Sequence, residues 1–289
     1  MTGLVFAIAG LALGHVLRRF TPAFLGLKNR DLPFTLPWLE VLTALVFWAL
    51  FQRLGAAAAQ LKWFVFALFL LAVTATDLLT KYIPSLVCWL GALIGVVASA
   101  VFPDDILDFL GHFHLLQMLG APLFQAHLCG LILGLLGALM GYAQMEFIRR
   151  VFHSLLGMEA MGRGDALLMM MAGAFLGPQM ILFALLPACF LGVCVGMFWK
   201  LVYKVPHFPF GPSLAMGALL LLLFGEHFIS ALAVFQNSLF HLPQWVLLTF
   251  SLALVGLLVV LIFRLRTKAA EYERMIEEDY KNTDEKIQA

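Results

Sequence analysis

Charged residues are scarce in this sequence of 289 residues, since Asp, Glu, Lys and Arg make up only 12% of it. Soluble domains carry about twice that share, so the composition excludes a large soluble catalytic domain. The net charge of +1 excludes a strongly basic surface for nucleic acid. None of the four cysteines stands in a C-x-x-C pair, which excludes a zinc site of that pattern and a secreted disulfide framework.

Apolar residues take the place of the missing charge. They make up 63% of the chain, whose mean hydropathy is +0.97. Because one bilayer crossing takes roughly 20 apolar residues, we predict an all-α polytopic membrane protein. The apolar runs indicate about nine transmembrane helices, near residues 3–17, 37–52, 62–76, 84–102, 122–147, 166–176, 178–199, 209–225 and 243–263.

Lysine and arginine are distributed unevenly between alternate loops. Thirteen of them fall in one set of loops, and only Arg53 and Lys62 fall in the other. Since cytoplasmic loops are the basic ones, we predict that the N-terminus lies outside and the C-terminus in the cytoplasm. We expect a membrane domain over residues 1–268 and an acidic cytoplasmic tail over residues 269–289.

Four acidic side chains lie inside or at the edge of predicted spans, where an ionised group carries an insertion penalty of a few kcal/mol. Glu40 and Glu146 are expected to lie at the membrane interface in ion pairs. Asp77 ends one span and Asp165 begins another, and the loop count places both on the cytoplasmic side. Only about 17 Å of helix separates Asp165 from Gly177, so a turn at Gly177 would sink Asp165 into the bilayer.

Two aspartates on one membrane face are the pattern of an aspartic peptidase. Close carboxyl groups can share one proton near neutral pH, because each negative charge opposes the ionisation of the other group. One member can then activate water while the other polarises the peptide carbonyl. Gly162 and Gly164 are expected to give an extended substrate room beside Asp165. The alternative is that Asp165 only caps a helix N-terminus.

The motifs around these residues resemble those of the type IV prepilin peptidase family, which are membrane aspartic peptidases. Asp77 with Pro84 seven residues later is similar to the first motif of the family, and the Gly-Arg-Gly-Asp of residues 162–165 is similar to the second. Residues 36–43 and 209–212 are similar to two further segments of the family. The resemblance implies Asp77 and Asp165 as the catalytic pair, with supporting roles for Gly162, Gly164, Pro84 and Glu40.

The resemblance also implies the substrate and the location. The substrate would be a prepilin or pseudopilin precursor with a short basic leader and an apolar helical stem that lies in the lipid bilayer. Cleavage would follow a Gly at the cytoplasmic face of the bacterial inner membrane. Glu40, Glu146 or Glu159 is expected to attract the basic leader. No metal, cofactor or nucleic acid is expected to take part.

Several features of the family are missing from this sequence. Members that also methylate carry two C-x-x-C pairs between their first and second spans, whereas residues 20–36 contain no cysteine. Gly14 stands where the family has Asn. Both differences argue against N-methyltransferase activity. Leu167 replaces a Lys and Ser85 replaces an Asp or Asn, but both aspartates are kept.

Three other interpretations stay open. Presenilin-type proteases also combine a G-x-G-D with a second Asp, although that Asp follows Tyr and Asp77 follows Thr76. A proton-coupled transporter would use paired intramembrane acids as a relay, but the sequence shows no internal repeat. An inactive homologue in pilus or secretion assembly is the third, and the two retained aspartates argue against it.

Overall fold

The computed structural model describes residues 2–24, 37–55, 57–103, 123–156, 162–203 and 209–240, together with residues 256, 260, 263, 264 and 267. Within these ranges the chain is helical and contains no strand, which confirms the all-α prediction there. The helices are α1 (Thr2–Phe24), α2 (Pro37–Leu54), α3 (Leu61–Thr80), α4 (Ser85–Val101), α5 (Leu123–Leu156), α6 (Arg163–Tyr203) and α7 (Gly211–Phe240), and a short 3-10 helix at Ala58–Gln60 precedes α3.

Five of the described helices contain stretches that are long and apolar enough to cross a membrane, as expected for a multi-pass membrane protein. These stretches are Thr2–Arg19, Leu61–Thr80, Ala126–Ser154, Arg163–Phe198 and Gly211–Phe228, and the shorter Ser85–Val101 is also apolar. The predicted span at 243–263 and the tail after 269 lie outside the described ranges, apart from isolated residues. The count of nine spans and the orientation of the termini therefore stay predictions.

The chain divides into two compact units. The first comprises Met1–Glu146 and Gly162–Gly225, and the second comprises Phe147–Met161 and Glu226–Ala289. The first unit holds both aspartates and the contacts that surround them. The boundary predicted between a membrane domain and a tail at residue 268 concerns a different division of the chain and stays a prediction.

Helix α6 is broken at Gly177, whose φ of 79° and ψ of 172° lie outside the helical region. Glycine adopts a positive φ without the steric penalty of a side chain. On α5, Gly141 packs against both Met169 and Ile181, although these two residues would lie about 18 Å apart along an unbroken helix. The chain therefore reverses at Gly177, and the two halves of α6 run along α5 in opposite directions.

This reversal agrees with the turn that the sequence predicts after residue 176. The first half of α6 runs from residue 163 to residue 176, which corresponds to about 21 Å of helix. That length is shorter than the hydrocarbon layer of about 30 Å. The distance along the helix from Asp165, in the first turn of α6, to the break is thus shorter than the thickness of the hydrocarbon layer.

Direct backbone contact holds α5 against the first half of α6. A side-chain carbon on Gly137 would overlap the carbonyl oxygen of Gly173, and one on Gly173 would overlap that of Gly137. Gly141 approaches the carbonyl oxygen of Met169 in the same way. Small residues at such crossings let helices gain close van der Waals packing in lipid, where the hydrophobic effect does not drive association.

Ser99 of α4 donates a hydrogen bond that replaces a backbone hydrogen bond missing at the break in α6. Its buried hydroxyl donates to the carbonyl oxygen of Ala174 at 2.9 Å, and this oxygen lacks its usual helical donor because residue 178 is a proline. We expect Ser99→Ala to lower the free energy of unfolding by about 1 kcal/mol, which is typical of interhelical hydrogen bonds in membranes. Thermal unfolding in detergent measures this change.

The control for this experiment is Ser230→Ala, because the hydroxyl of Ser230 donates to Glu226 within its own helix and is exposed. We expect the control to change the unfolding temperature less than Ser99→Ala does. Equal changes in the two variants would show that the bond from α4 to α6 contributes nothing specific.

Candidate active site

Asp77 lies one turn before the end of α3, with a side chain that is 5% exposed. Its carbonyl oxygen accepts a hydrogen bond from the N–H of Lys81 at 2.8 Å. Lys81 has a left-handed backbone with φ 55° and ψ 28°, which ends the helix in the manner of a C-terminal cap. The chain then passes through Ile83 to Pro84, which is the N-cap of α4.

Asp165 lies in the first turn of α6 and is 9% exposed. Its Oδ2 accepts a hydrogen bond from the N–H of Gly162 at 3.3 Å, as acids at the third helical position often do. The start of a helix also favours a negative charge. Asp165 therefore does cap its helix, as the alternative interpretation expects, but it does so from within the first turn.

The structure brings the two aspartates together. Asp77 and Asp165 are close enough for their charges to interact, although 88 positions separate them in the sequence. Both side chains are buried, Asp77 near the C-terminal end of α3 and Asp165 near the N-terminal end of α6. This is the juxtaposition that the loop count and the two motifs predict.

Ile83 packs where three distant segments of the chain meet, and its side chain is 6% exposed. A side-chain carbon on Gly164 of α6 would lie 2.8 Å from the Cβ of Ile83. A side-chain carbon on Gly211 of α7 would lie 3.1 Å from its Cδ1. Ile83 thus links the turn after Asp77 to the start of α6 and to the start of α7.

Gly211 begins α7 and contacts the carboxyl group of Asp77. Its N–H is directed at that carboxyl, and a side-chain carbon at position 211 would overlap Asp77 Oδ2. This oxygen is buried, and within the described ranges it has no hydrogen-bond partner of normal geometry. In the sequence, Gly211 stands out only as part of a family-like segment, and no pattern marks Ile83 as a site residue.

Glu40 contacts α1. Arg18 Nη1 lies 3.2 Å from its Oε1, and His15 Nδ1 lies 2.9 Å from the same oxygen. A side-chain carbon on Gly14 would lie 2.7 Å from the Cα of Glu40, so the two helices touch at their backbones. The ion pair agrees with the pairing expected for Glu40, while its role toward a substrate stays a prediction. Glu159 lies outside the described residues.

The two glycines of the Gly-Arg-Gly-Asp motif have different surroundings. Gly164 makes room for Ile83, whereas a side-chain carbon on Gly162 would lie 3.7 Å from Asp165 Oδ2, an ordinary contact distance. We expect Gly164→Ala to lower the free energy of unfolding by about 1–3 kcal/mol through overpacking. Gly162→Ala is the matched control, and it should change the free energy of unfolding by less than about 1 kcal/mol, since it loses only the preference of the N-cap for glycine over alanine.

Thermal unfolding of both variants in the same detergent measures this difference. Equal losses in Gly162→Ala and Gly164→Ala would show that the contact with Ile83 is not what requires glycine in this motif.

Two buried carboxyl groups in one site can exchange a proton with each other and with a bound water molecule, which is what general acid–base hydrolysis requires. Among the described side chains, no group of three or more His, Cys, Asp or Glu is placed to hold a metal ion.

The known proteins that this chain resembles are leader peptidases by name. Residues 64–197 match the Type IV leader peptidase family. The chain is 26% identical over 196 residues to the prepilin leader peptidase/N-methyltransferase of Xanthomonas campestris pv. campestris, which covers 67% of this chain and 60% of that relative. For the protein of the same name from Neisseria gonorrhoeae the identity is 26% over 184 residues, covering 62% of this chain and 54% of the relative.

A third relative, from Burkholderia pseudomallei (strain K96243), has the same name and is 34% identical over 119 residues, or 37% of this chain and 38% of the relative. The matches thus span between 38% and 60% of the length of these three relatives. No solved structure matches the chain. The resemblance that the motifs indicate is confirmed, and the matched segment contains both Asp77 and Asp165.

Proposed function

We propose that this chain is a membrane aspartic endopeptidase that removes the leader of type IV prepilin-like precursors, with Asp77 and Asp165 as its catalytic pair. The observation that carries this proposal is the meeting of two buried carboxyl groups from α3 and α6. Both lie within the segment that matches the leader peptidase family.

In the proposed reaction, one carboxyl group of the pair is ionised and the other is protonated. The ionised group takes a proton from a water molecule, whose oxygen attacks the carbonyl carbon of the scissile bond. The protonated group donates a hydrogen bond to the carbonyl oxygen, on which negative charge develops. When the C–N bond breaks, the proton taken from water passes to the leaving amine, and the pair returns to its singly protonated state.

The proposed substrate is a precursor with a short basic leader followed by an apolar helical stem. The uneven distribution of Lys and Arg supports a site at the cytoplasmic face of the inner membrane, because Lys81 and Arg163 belong to the basic set of loops. The apolar helices of the chain offer the stem an environment within the bilayer, where it would pack as one more membrane helix.

We further propose that the chain does not methylate its product. The relatives are named as leader peptidases and N-methyltransferases, but residues 20–36 of this chain contain none of the cysteines of methylating members. In addition, α1 and α2 touch at Gly14 and Glu40, so the position of the family's Asn is occupied by a close helix contact.

The intact mass of a purified prepilin tests both proposals in one experiment. The prepilin is incubated with the protein in detergent, in the presence of S-adenosylmethionine. We expect the leader to be lost and no methyl group to be added. An added methyl group would contradict the second proposal. A precursor that stays uncut by folded protein would contradict the first.

A further inference from the structure

We propose that Gly211 is a positioning residue for Asp77, because its backbone N–H and its lack of a side chain together fix where the carboxyl group lies. The inference rests on the proposed function in one respect, namely that Asp77 is catalytic. The contacts that carry it belong to Gly211, Asp77 and Ile83.

Position 211 requires glycine because its surroundings leave no space for a side chain. Among the described glycines, only Gly55 and Gly177 have a positive φ, so the backbone at Gly211 is one that other residues also adopt. A side-chain carbon at 211 would overlap Asp77 Oδ2 and lie 3.0 Å from Asp77 Cγ. Any other residue must therefore displace either the carboxyl group or the start of α7.

The backbone hydrogen bonds in the first turn of α7 do not involve the N–H of Gly211, so this N–H is available to Asp77. The first amides of a helix have no partner within the helix. Here the N–H groups of Ser213 and Leu214 both donate to the carbonyl oxygen of Phe210, at 3.0 and 3.1 Å, and Pro212 has no N–H. The N–H of Gly211 is directed at the carboxyl group of Asp77, and Asp77 Oδ2 is buried with no hydrogen-bond partner of normal geometry in the described part of the chain.

Ile83 is the second neighbour of Gly211, and a side chain at 211 would approach its Cδ1 to 3.1 Å. A substitution at 211 could therefore act by displacing Asp77 or by disturbing Ile83. Shortening Ile83 to Val removes Cδ1 and leaves the overlap with Asp77 unchanged. The pair of variants distinguishes the two causes.

The first test is the rate of prepilin cleavage. We expect Gly211→Ala to lower kcat by about 100-fold with little change in KM, because a displacement of about 1 Å at a catalytic group has an effect of that size. Gly211→Ala combined with Ile83→Val should be equally slow. Gly196→Ala is the matched control, since a side-chain carbon there meets no atom within 4 Å. Recovery of the rate on adding Ile83→Val would overturn the proposal.

The second test is thermal unfolding and needs no catalysis. We expect the Tm loss caused by Gly211→Ala to fall to less than about half when it is measured in the Asp77→Ala background, because contacting residues couple and Oδ2 is then gone. An equal loss in both backgrounds, or a failure to fold in both, would overturn the proposal. If wild-type protein cuts no prepilin, the proposed function fails, while this second result still decides the role of Gly211.

Discussion

Replacement of Asp165 by Asn is expected to lower the rate of prepilin cleavage by about 1,000-fold or more, within the range that general acid–base catalysis contributes. The amide has nearly the shape of the carboxyl group, and its oxygen can still accept the hydrogen bond from Gly162 that is observed at 3.3 Å. It cannot exchange a proton with Asp77 or with water near neutral pH. The variant should therefore fold normally and lose only the chemistry.

Initial rates on a purified prepilin, followed by mass spectrometry of the released leader, measure this loss. Glu226→Gln is a suitable control because Glu226 is an exposed acid further along α7, and its rate should stay within about twofold of wild type. A rate for Asp165→Asn above one tenth of the wild-type rate would contradict a role for this carboxyl group in proton transfer.

Gly137→Val is expected to have the largest effect on folding. A side-chain carbon at 137 would overlap the carbonyl oxygen of Gly173 and lie 2.8 Å from the Cα of Gly177. Both are backbone atoms at the reversal of α6, so they cannot move aside as a flexible side chain would. We expect a loss of about 3 kcal/mol or more in the free energy of unfolding, at the upper end of overpacking effects.

The yield of monodisperse protein and its unfolding temperature in detergent measure the effect of Gly137→Val. Gly196→Val carries the same change of residue to a position with open space around its Cβ, so it serves as the control. If both valine variants unfold at the same temperature, the contact of α5 with the reversal of α6 is not what sets the stability of this region.

The helices and the pairing of the aspartates were predictable because both depend on local patterns. Apolar runs end at charges, Gly and Pro, and α3 and α4 accordingly begin and end within a few residues of the predicted spans. The short run before Gly177 and the proline after it predict the reversal in α6. Asp77 and Asp165 lie at span ends that the loop count assigns to one side, which is sufficient to expect them to be near each other.

The surroundings of the pair were not predictable, because they depend on how distant segments pack. Nothing in the sequence distinguishes Gly162 from Gly164, yet only Gly164 lies against Ile83. The contact between Gly211 and Asp77 joins residues 134 positions apart and depends on where α7 begins. The ion pair of Glu40 with Arg18 likewise follows from the close approach of α1 and α2 at Gly14.

The most direct test of the central claim, that Asp77 and Asp165 act as one catalytic unit, is the cleavage rate of one purified prepilin by Asp77→Asn, Asp165→Asn and the double variant. Residues that act as a unit lose their joint contribution with the first substitution. We therefore predict that the double variant cleaves no more slowly than the slower single variant. Losses that multiply in the double variant, or a single variant that cleaves at nearly the wild-type rate, would contradict the claim.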